Sequence, residues 1–175
     1  MLHGERVTLR ALEPADAAVM WRWYQDREFS RLDGNRYGTA LPPLEEFVRS
    51  LGSPSFADVS LGIEDEHARL IGIVRLKRVE AEDRNADFGI AIERGHWDQG
   101  YGTDATRTIL RFAFTEMNLH RVSLGVLDYN ARARRCYEKC GFREEGRVRE
   151  HHFHDGRWHD QIIMGILQHE FERDP

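Results

Sequence analysis

Cysteine is scarce: Cys136 and Cys140 are the only two in 175 residues. Two are too few for a disulfide-stapled scaffold, and without a second pair they make no zinc site, so both are expected to be reduced. Long apolar runs are missing as well. Nothing approaches the roughly 20 residues that a bilayer span needs. The opening MLHGERVTLR has no signal-peptide core, so cytoplasm is the expected address and no membrane partner is expected. Positive charge is not in excess. The 25 Lys and Arg against 30 Asp and Glu leave a net charge of −5, which argues against a sequence-independent grip on nucleic acid phosphates and suits a cationic or neutral partner. Internal repeats and low-complexity stretches are also absent.

What is present is the composition of an ordinary globular chain, 41% hydrophobic and 31% charged. A chain of this length buries roughly 70% of the surface its unfolded form exposes, and residues 1–175 are expected to form a single domain. Apolar spacing alternates between period 2 and helix period, as in α/β and α+β proteins. Strands are expected over 4–10, 57–64, 69–79, 86–93, 120–127, 143–154 and 157–168. Helices are expected from Pro14 to about Arg27, over 43–51, from Tyr101 to near Asn118, and over 130–139, with 28–43 otherwise read as loop. Asp155-Gly156 is a type I′ hairpin signal.

The informative junction is the strand ADFGIAIE, the turn RGHWDQGYGTDA and the long amphipathic helix that follows. On the strand, Phe88, Ile90 and Ile92 share one face. Asp87, Gly89, Ala91 and Glu93 share the other, which has almost no bulk and leaves room for an extended amide-bearing ligand along the backbone. Gly100 and Gly102 remove side chains where a ligand would approach, and the amides of Gln99 to Thr103 sit at a helix N-terminus, where the dipole favours phosphate. A lone Gly-x-Gly is equally a tight strand-to-helix turn.

With these residues in view, the chain resembles the GNAT superfamily of N-acetyltransferases over nearly its whole length. The acetyl-CoA loop of that family, Gln/Arg-x-x-Gly-x-Gly/Ala, is matched by W-D-Q-G-Y-G-T at 97–103 with Trp97 in place of the first Gln or Arg. A second signature, N-x-x-A-x-x-x-Y-E-K-x-G-F, is matched by Asn130, Ala133, Tyr137, Glu138, Lys139, Gly141 and Phe142. The N-terminal ERVTLRALEPADA, the W-Y-Q-D at Trp23 to Asp26 and the closing D-G-R-W-H-D-Q-I-I-M-G-I-L resemble the branch of ribosomal-protein alanine N-acetyltransferases and spermidine acetyltransferases.

The resemblance implies an α+β fold with a bent mixed sheet of about seven strands and about four flanking helices. It implies acetyl transfer from acetyl-CoA to a primary amine by direct attack, with no metal. Acetyl-CoA is expected along the amides of Ile90, Ala91 and Ile92, on Trp97, Asp98, Gln99, Gly100, Tyr101, Gly102 and Thr103, and on Asn130 and Tyr137. Tyr137 matches the family's general acid and Asp87 an acidic residue used as base, with Glu93 or solvent as alternatives. Asn130 is equally an N-cap, and Asp87 equally a strand-start carboxylate paired with Arg84 or another cation. The acceptor expected from the branch is a protein or peptide N-terminus, with a polyamine or an antibiotic as the alternative. A non-catalytic acetyl-CoA-binding module is a further reading, which Tyr137 argues against. A homodimer is left open.

Three of nine histidines share a hairpin face, His152, His154 and His159, and a solvated hairpin is preferred over a metal site there. Trp158, Ile162, Met164 and Ile166 form the opposite row, where Asp160 is expected to pair with His151. Trp23 is expected in the core, and Tyr24 is a weak candidate for touching the acceptor.

Overall fold

The computed structural model describes residues 1–34, 40–51 and 55–171. Eight strands form one mixed sheet in the order β1-β2-β3-β4-β5-β6-β8-β7. They are β1 (Leu2–His3), β2 (Thr8–Ala11), β3 (Val59–Glu64), β4 (Leu70–Glu80), β5 (Asn85–Ile92), β6 (Arg121–Leu127), β7 (Arg143–His154) and β8 (Arg157–Leu167). The helices among the described residues are α1 (Asp16–Trp23), α2 (Arg27–Leu32), α3 (Leu41–Leu51), α4 (Tyr101–Thr115), α5 (Ala131–Lys139) and the short α6 (Gln168–Phe171). This is the expected bent mixed sheet, with one strand and two helices more than anticipated.

The differences have local causes. The strand expected over 4–10 is broken by a turn in which the Gly4 N–H donates to the Val7 carbonyl (2.9 Å). Asp104 of α4 holds that turn, its carboxylate accepting from the backbone N–H groups of Glu5 (3.0 Å), Arg6 (2.8 Å) and Val7 (3.0 Å). The helix expected to run to Arg27 stops at Trp23. A new one starts after Asp26, whose side chain accepts from the Phe29 N–H (2.9 Å) as an N-cap, so part of the expected 28–43 loop is helical. Gly38 of that loop lies outside the described residues. α3 begins at Leu41, ahead of the expected Pro43.

Two apolar clusters hold the sheet. In the first, Ile109, Leu110, Ala113 and Phe114 of α4 pack with Val74 and Leu76 of β4, Ala86 of β5 and Val122 of β6. In the second, Met20 and the expected core residue Trp23 of α1 join Leu44 and Val48 of α3 against Leu70 and Ile73 of β4. The β7–β8 hairpin turns at Asp155 and Gly156, both at positive φ as a type I′ turn requires, and pairs His154 with Arg157, Phe153 with Trp158 and His152 with His159.

A register shift between Val148 and His152 takes His151 out of line with Asp160. The Asp160 carboxylate accepts instead from the Glu150 N–H (3.0 Å), so the expected Asp160–His151 pair is not formed. Ile162, Met164 and Ile166 are buried as expected, but Trp158, beyond the packed part of the row, is 57% exposed. No helix of the described residues is long and apolar enough to cross a membrane.

Asp104 joins the N-terminal turn to the first turn of α4 through three backbone donors, so Asp104→Ala is expected to lower unfolding free energy by roughly 1–3 kcal/mol, as read from urea denaturation. Asp104→Asn, which keeps one acceptor oxygen, should lose less.

Candidate active site

β5 pairs with β4 along its whole length but with β6 only over Asn85–Asp87 against Arg121–Ser123. Beyond Asp87 the two strands part, and a cleft of about 810 Å³ opens between them. Phe88 to Ile92 form one wall, the N-terminus of α4 and the inner face of α5 another, and side chains from α1, α3, β4 and β8 the rest.

The ladder phase shows which amides face this cleft. Glu93 N–H donates to the Ile71 carbonyl (2.8 Å), so the opposed pairs two residues along, Ala91 with Ile73 and Gly89 with Arg75, are the hydrogen-bonded ones. Phe88, Ile90 and Ile92 therefore direct their N–H and C=O groups away from β4, toward the side β6 has left. The Ile92 carbonyl is already used, accepting from the Trp97 indole N–H (2.6 Å). Of the three amides expected to serve the ligand, those of Ile90 and Ile92 face the cleft, whereas the Ala91 N–H is turned to β4. A Cβ on Gly89 would meet only the Lys77 Cε, at 4.0 Å, so the strand's bare face is open enough for an extended chain such as pantetheine.

The turn after β5 winds one short 3-10 turn over Arg94–His96 and enters α4 through Gly100, whose φ of +91° suits glycine. The N–H groups of Tyr101, Gly102 and Thr103 have no carbonyl one turn earlier to bond. Trp97, Asp98, Gly100, Gly102 and Thr103 all line the cleft. Tyr101 and Gln99 do not: the buried Tyr101 ring lies beneath the Arg6 guanidinium (4.3 Å), its hydroxyl donates to Glu66 (2.8 Å), and the Gln99 amide donates to the Gly95 carbonyl (2.8 Å). Arg6 also donates to the Gln99 carbonyl and to Glu66, bracing the loop from behind.

From α5 come Asn130 and Tyr137. The Asn130 side chain accepts from the Ala133 N–H (3.2 Å), so it is an N-cap that also lines the cleft. Tyr137 lines the cleft with its ring edge-on to Phe88 (5.9 Å). Burial, with a smaller push from Cys136, raises its phenol above the ordinary range, while Arg132 acts in the opposite direction, so the proton is in place at neutral pH. Both cysteines lie against Thr103: Cys136 Sγ is 3.5 Å from its hydroxyl, and the Cys140 thiol donates to its carbonyl (3.6 Å). The two are free thiols.

Asp87 is not among the lining residues; its carboxylate forms an ion pair with Arg78. Glu93 is not among the lining residues either; its carboxylate lies 3.0 Å from His96 Nδ1.

Tyr24, the residue expected to be near the acceptor, does line the cleft, whereas Asp33, Arg75 and Lys77 beside it carry no motif and were invisible in the sequence. Tyr24 donates its hydroxyl to Asp33 (2.9 Å), and burial together with that carboxylate raises the phenol. Desolvation in the cleft wall raises Asp33, while Tyr24 and Lys77 act the other way. Arg75 is held by Asp58 (3.0 Å) and Ser60 (2.8 Å). Lys77 and Gln161 complete this end. These groups come from α1, the segment after α2, β4 and β8, and only folding brings them together.

The three hairpin histidines gather around Tyr129, at ring distances of 4.7 Å for His159, 5.9 Å for His154 and 6.4 Å for His152. His159 is buried on Asp128 (3.0 Å) rather than solvated. Among the described residues no group of three or more His, Cys, Asp or Glu is placed to hold a metal ion.

Comparison with known proteins adds to this geometry. Residues 6–143 match the acetyltransferase (GNAT) domain family. The spermidine N(1)-acetyltransferase of Vibrio cholerae is 32% identical over 168 residues, covering 96% of each chain. That of Escherichia coli K12 is 32% identical over 176 residues, covering 95% of this chain and 84% of its own. YdaF of Bacillus subtilis, proposed to be a ribosomal N-acetyltransferase, is 29% identical over 97% of this chain and 95% of its own. The crystal structure of the V. cholerae spermidine N-acetyltransferase in complex with CoA and spermine superposes with a TM-score of 0.86, covering 95% of this chain and 98% of that one.

At Gly102 an added Cβ would make ordinary contacts, 3.6 Å from Cys136 Sγ and 3.9 Å from Ile92 Cγ1, so the fold tolerates a side chain that a ligand on the loop would not. Gly102→Val is expected to fold and to weaken acetyl-CoA binding by about tenfold or more, equivalent to roughly 1.4 kcal/mol, in calorimetric titration. Unaltered affinity would place the diphosphate elsewhere.

Proposed function

Because this chain belongs to the GNAT acetyltransferase family and so acetylates an amine with acetyl-CoA, we propose that its acceptor is a polyamine of the spermidine class and that residues 1–175 act as one acetyltransferase domain. The observation that carries this reading is the likeness to spermidine acetyltransferases over 96% of the chain, including a structure that holds spermine and CoA. It favours the polyamine over the protein N-terminus that the sequence branch suggested. Asp33 supplies the anionic group that a second ammonium needs in the acceptor half of the cleft.

One observation supports the other acceptor. Lys77 lines the same half with no ion pair of its own among the described residues, and a cation there repels a polyamine while suiting the carbonyl-rich backbone of a peptide. An acceptor panel of spermidine, spermine and peptides beginning with Ala, Ser or Met separates the two, with CoA thiol release as the readout. Spermidine turnover well above the peptides is the expected result; turnover of a peptide with silence on polyamines overturns it.

In the proposed chemistry the neutral amine nitrogen attacks the thioester carbonyl carbon, a C–N bond forms and the C–S bond breaks. The N–H groups of Ile90 and Ile92 are aimed to receive the negative charge that develops on the carbonyl oxygen. The departing thiolate takes its proton from Tyr137. With a conjugate pKa of about 8.5 for the thiol and a phenol above 10, that transfer runs uphill by roughly 2 kcal/mol or more, a gap that the nearby Arg132 charge narrows. The amine proton leaves through water, since Asp87 is engaged by Arg78 and neither Asp87 nor Glu93 lines the cleft.

Tyr137→Phe removes the proton and little volume. It is expected to lower kcat by about a hundredfold with acetyl-CoA affinity nearly intact. An unchanged kcat removes Tyr137 as the acid.

A further inference from the structure

The loop signature of the family begins with Gln or Arg, and this chain has Trp97 there. Another element brings a polar group to that position. Arg132, in the first turn of α5, lays its guanidinium over the Trp97 indole at 3.6 Å from the ring centroid. The indole is itself pinned, because its N–H donates to the Ile92 carbonyl (2.6 Å). The cation therefore has a fixed seat made by β5, the loop and α5 together.

Two features distinguish Arg132 from the other arginines near the cleft. Arg6, Arg75 and Arg94 each engage a carboxylate, on Glu66, Asp58 and Asp26. Arg132 and Arg135 both lack a hydrogen bond or ion pair among the described residues, but Arg135 is exposed, whereas Arg132 is half-buried in the cleft lining. Desolvation lowers its pKa below that of an ordinary arginine, with Asp98 acting in the opposite direction. A half-buried cation in a cleft wall, stacked but unpaired, is an arrangement that an anionic ligand completes.

Its position selects which anion. Four residues further along α5, Cys136 lies against Thr103, in the first turn of α4, so this face of α5 runs past the end of α4 where amides and dipole favour phosphate. We propose that Arg132, seated on Trp97, is a binding residue for the diphosphate of acetyl-CoA, taking over in space the charge that the loop lacks in sequence. This rests on the loop's being the acetyl-CoA diphosphate site. The aromatic seat fixes the guanidinium before the ligand arrives, so little side-chain entropy is lost on binding.

The test compares Arg132→Ala, Arg132→Lys and the parent. Calorimetry gives Kd for CoA and for 3′-dephospho-CoA, and kinetics gives kcat/KM for acetylpantetheine, which lacks the diphosphate. Expected for Arg132→Ala is a loss of about 10- to 100-fold for CoA and dephospho-CoA alike, with acetylpantetheine turnover lowered far less, by no more than the small effect of the Arg132 charge on Tyr137. Arg132→Lys should recover part of the loss. A loss confined to CoA would assign Arg132 to the 3′-phosphate, an equal loss with acetylpantetheine would make it structural, and no loss would leave it idle; each overturns the proposal. Gly102→Val run alongside separates the two levels. If it weakens CoA while Arg132→Ala does not, the loop site stands and the arginine's role falls. If neither does, the loop site itself has failed.

Discussion

The parallel contact between β5 and β6 lasts three residue pairs, from Asn85–Arg121 to Asp87–Ser123. Backbone groups in a sheet must find partners, and the parting of the strands leaves those of Ile90 and Ile92 facing an opening instead of a neighbour. One of them, the Ile92 carbonyl, is satisfied by the Trp97 indole. The others are donors and acceptors at the bottom of a cleft, where a ligand with amide groups along its length can complete the sheet. The loop, α4 and α5 owe their usefulness to that parting.

Preorganisation of the loop comes from residues far away in the chain. Asp104 binds three successive backbone donors of the N-terminal turn, and Arg6 from the same turn donates to the Gln99 carbonyl while its guanidinium covers Tyr101. Side chains that face the cleft and side chains that face this brace alternate along the loop, so Tyr101 and Gln99 hold what Gly100 and Gly102 present. A loop anchored in this way gives up little conformational freedom when a ligand binds.

Charge along the cleft is local and owes little to the net value of −5. Arg132, Arg135 and Lys139 stand on the α5 wall beside the loop, whereas Tyr24, Asp33, Lys77 and Gln161 stand at the other end. In the proposed binding mode an anionic cofactor and a neutral amine meet different surroundings in the same cleft. Asp33 and Lys77 oppose each other in the acceptor half, and their balance is the physical basis for choosing between a polycation and a peptide.

Motifs with a backbone purpose were legible in the sequence. Gly100 and Gly102 at a strand-to-helix turn, the bare face of Gly89 and Ala91, the Asp155-Gly156 turn and the Asn130 cap each act within a few residues of themselves, so spacing alone carries them. Side-chain partnerships were not. Asp87 belongs with Arg78, Asp160 with the Glu150 N–H and His159 with Asp128. The first depends on which neighbour of the strand captures a carboxylate, the second on a register shift that an exact hairpin count does not contain, and the third on a contact across β6 and β8. Arg132 on Trp97 is of the same kind. The run of strands and helices around the loop, the loop chemistry and the acetyl-CoA signature could be read from the chain because they are properties of adjacent residues. Which amides face the cleft, which carboxylates are engaged and where the cations stand could not, because those depend on strands and helices brought together across up to a hundred residues of chain.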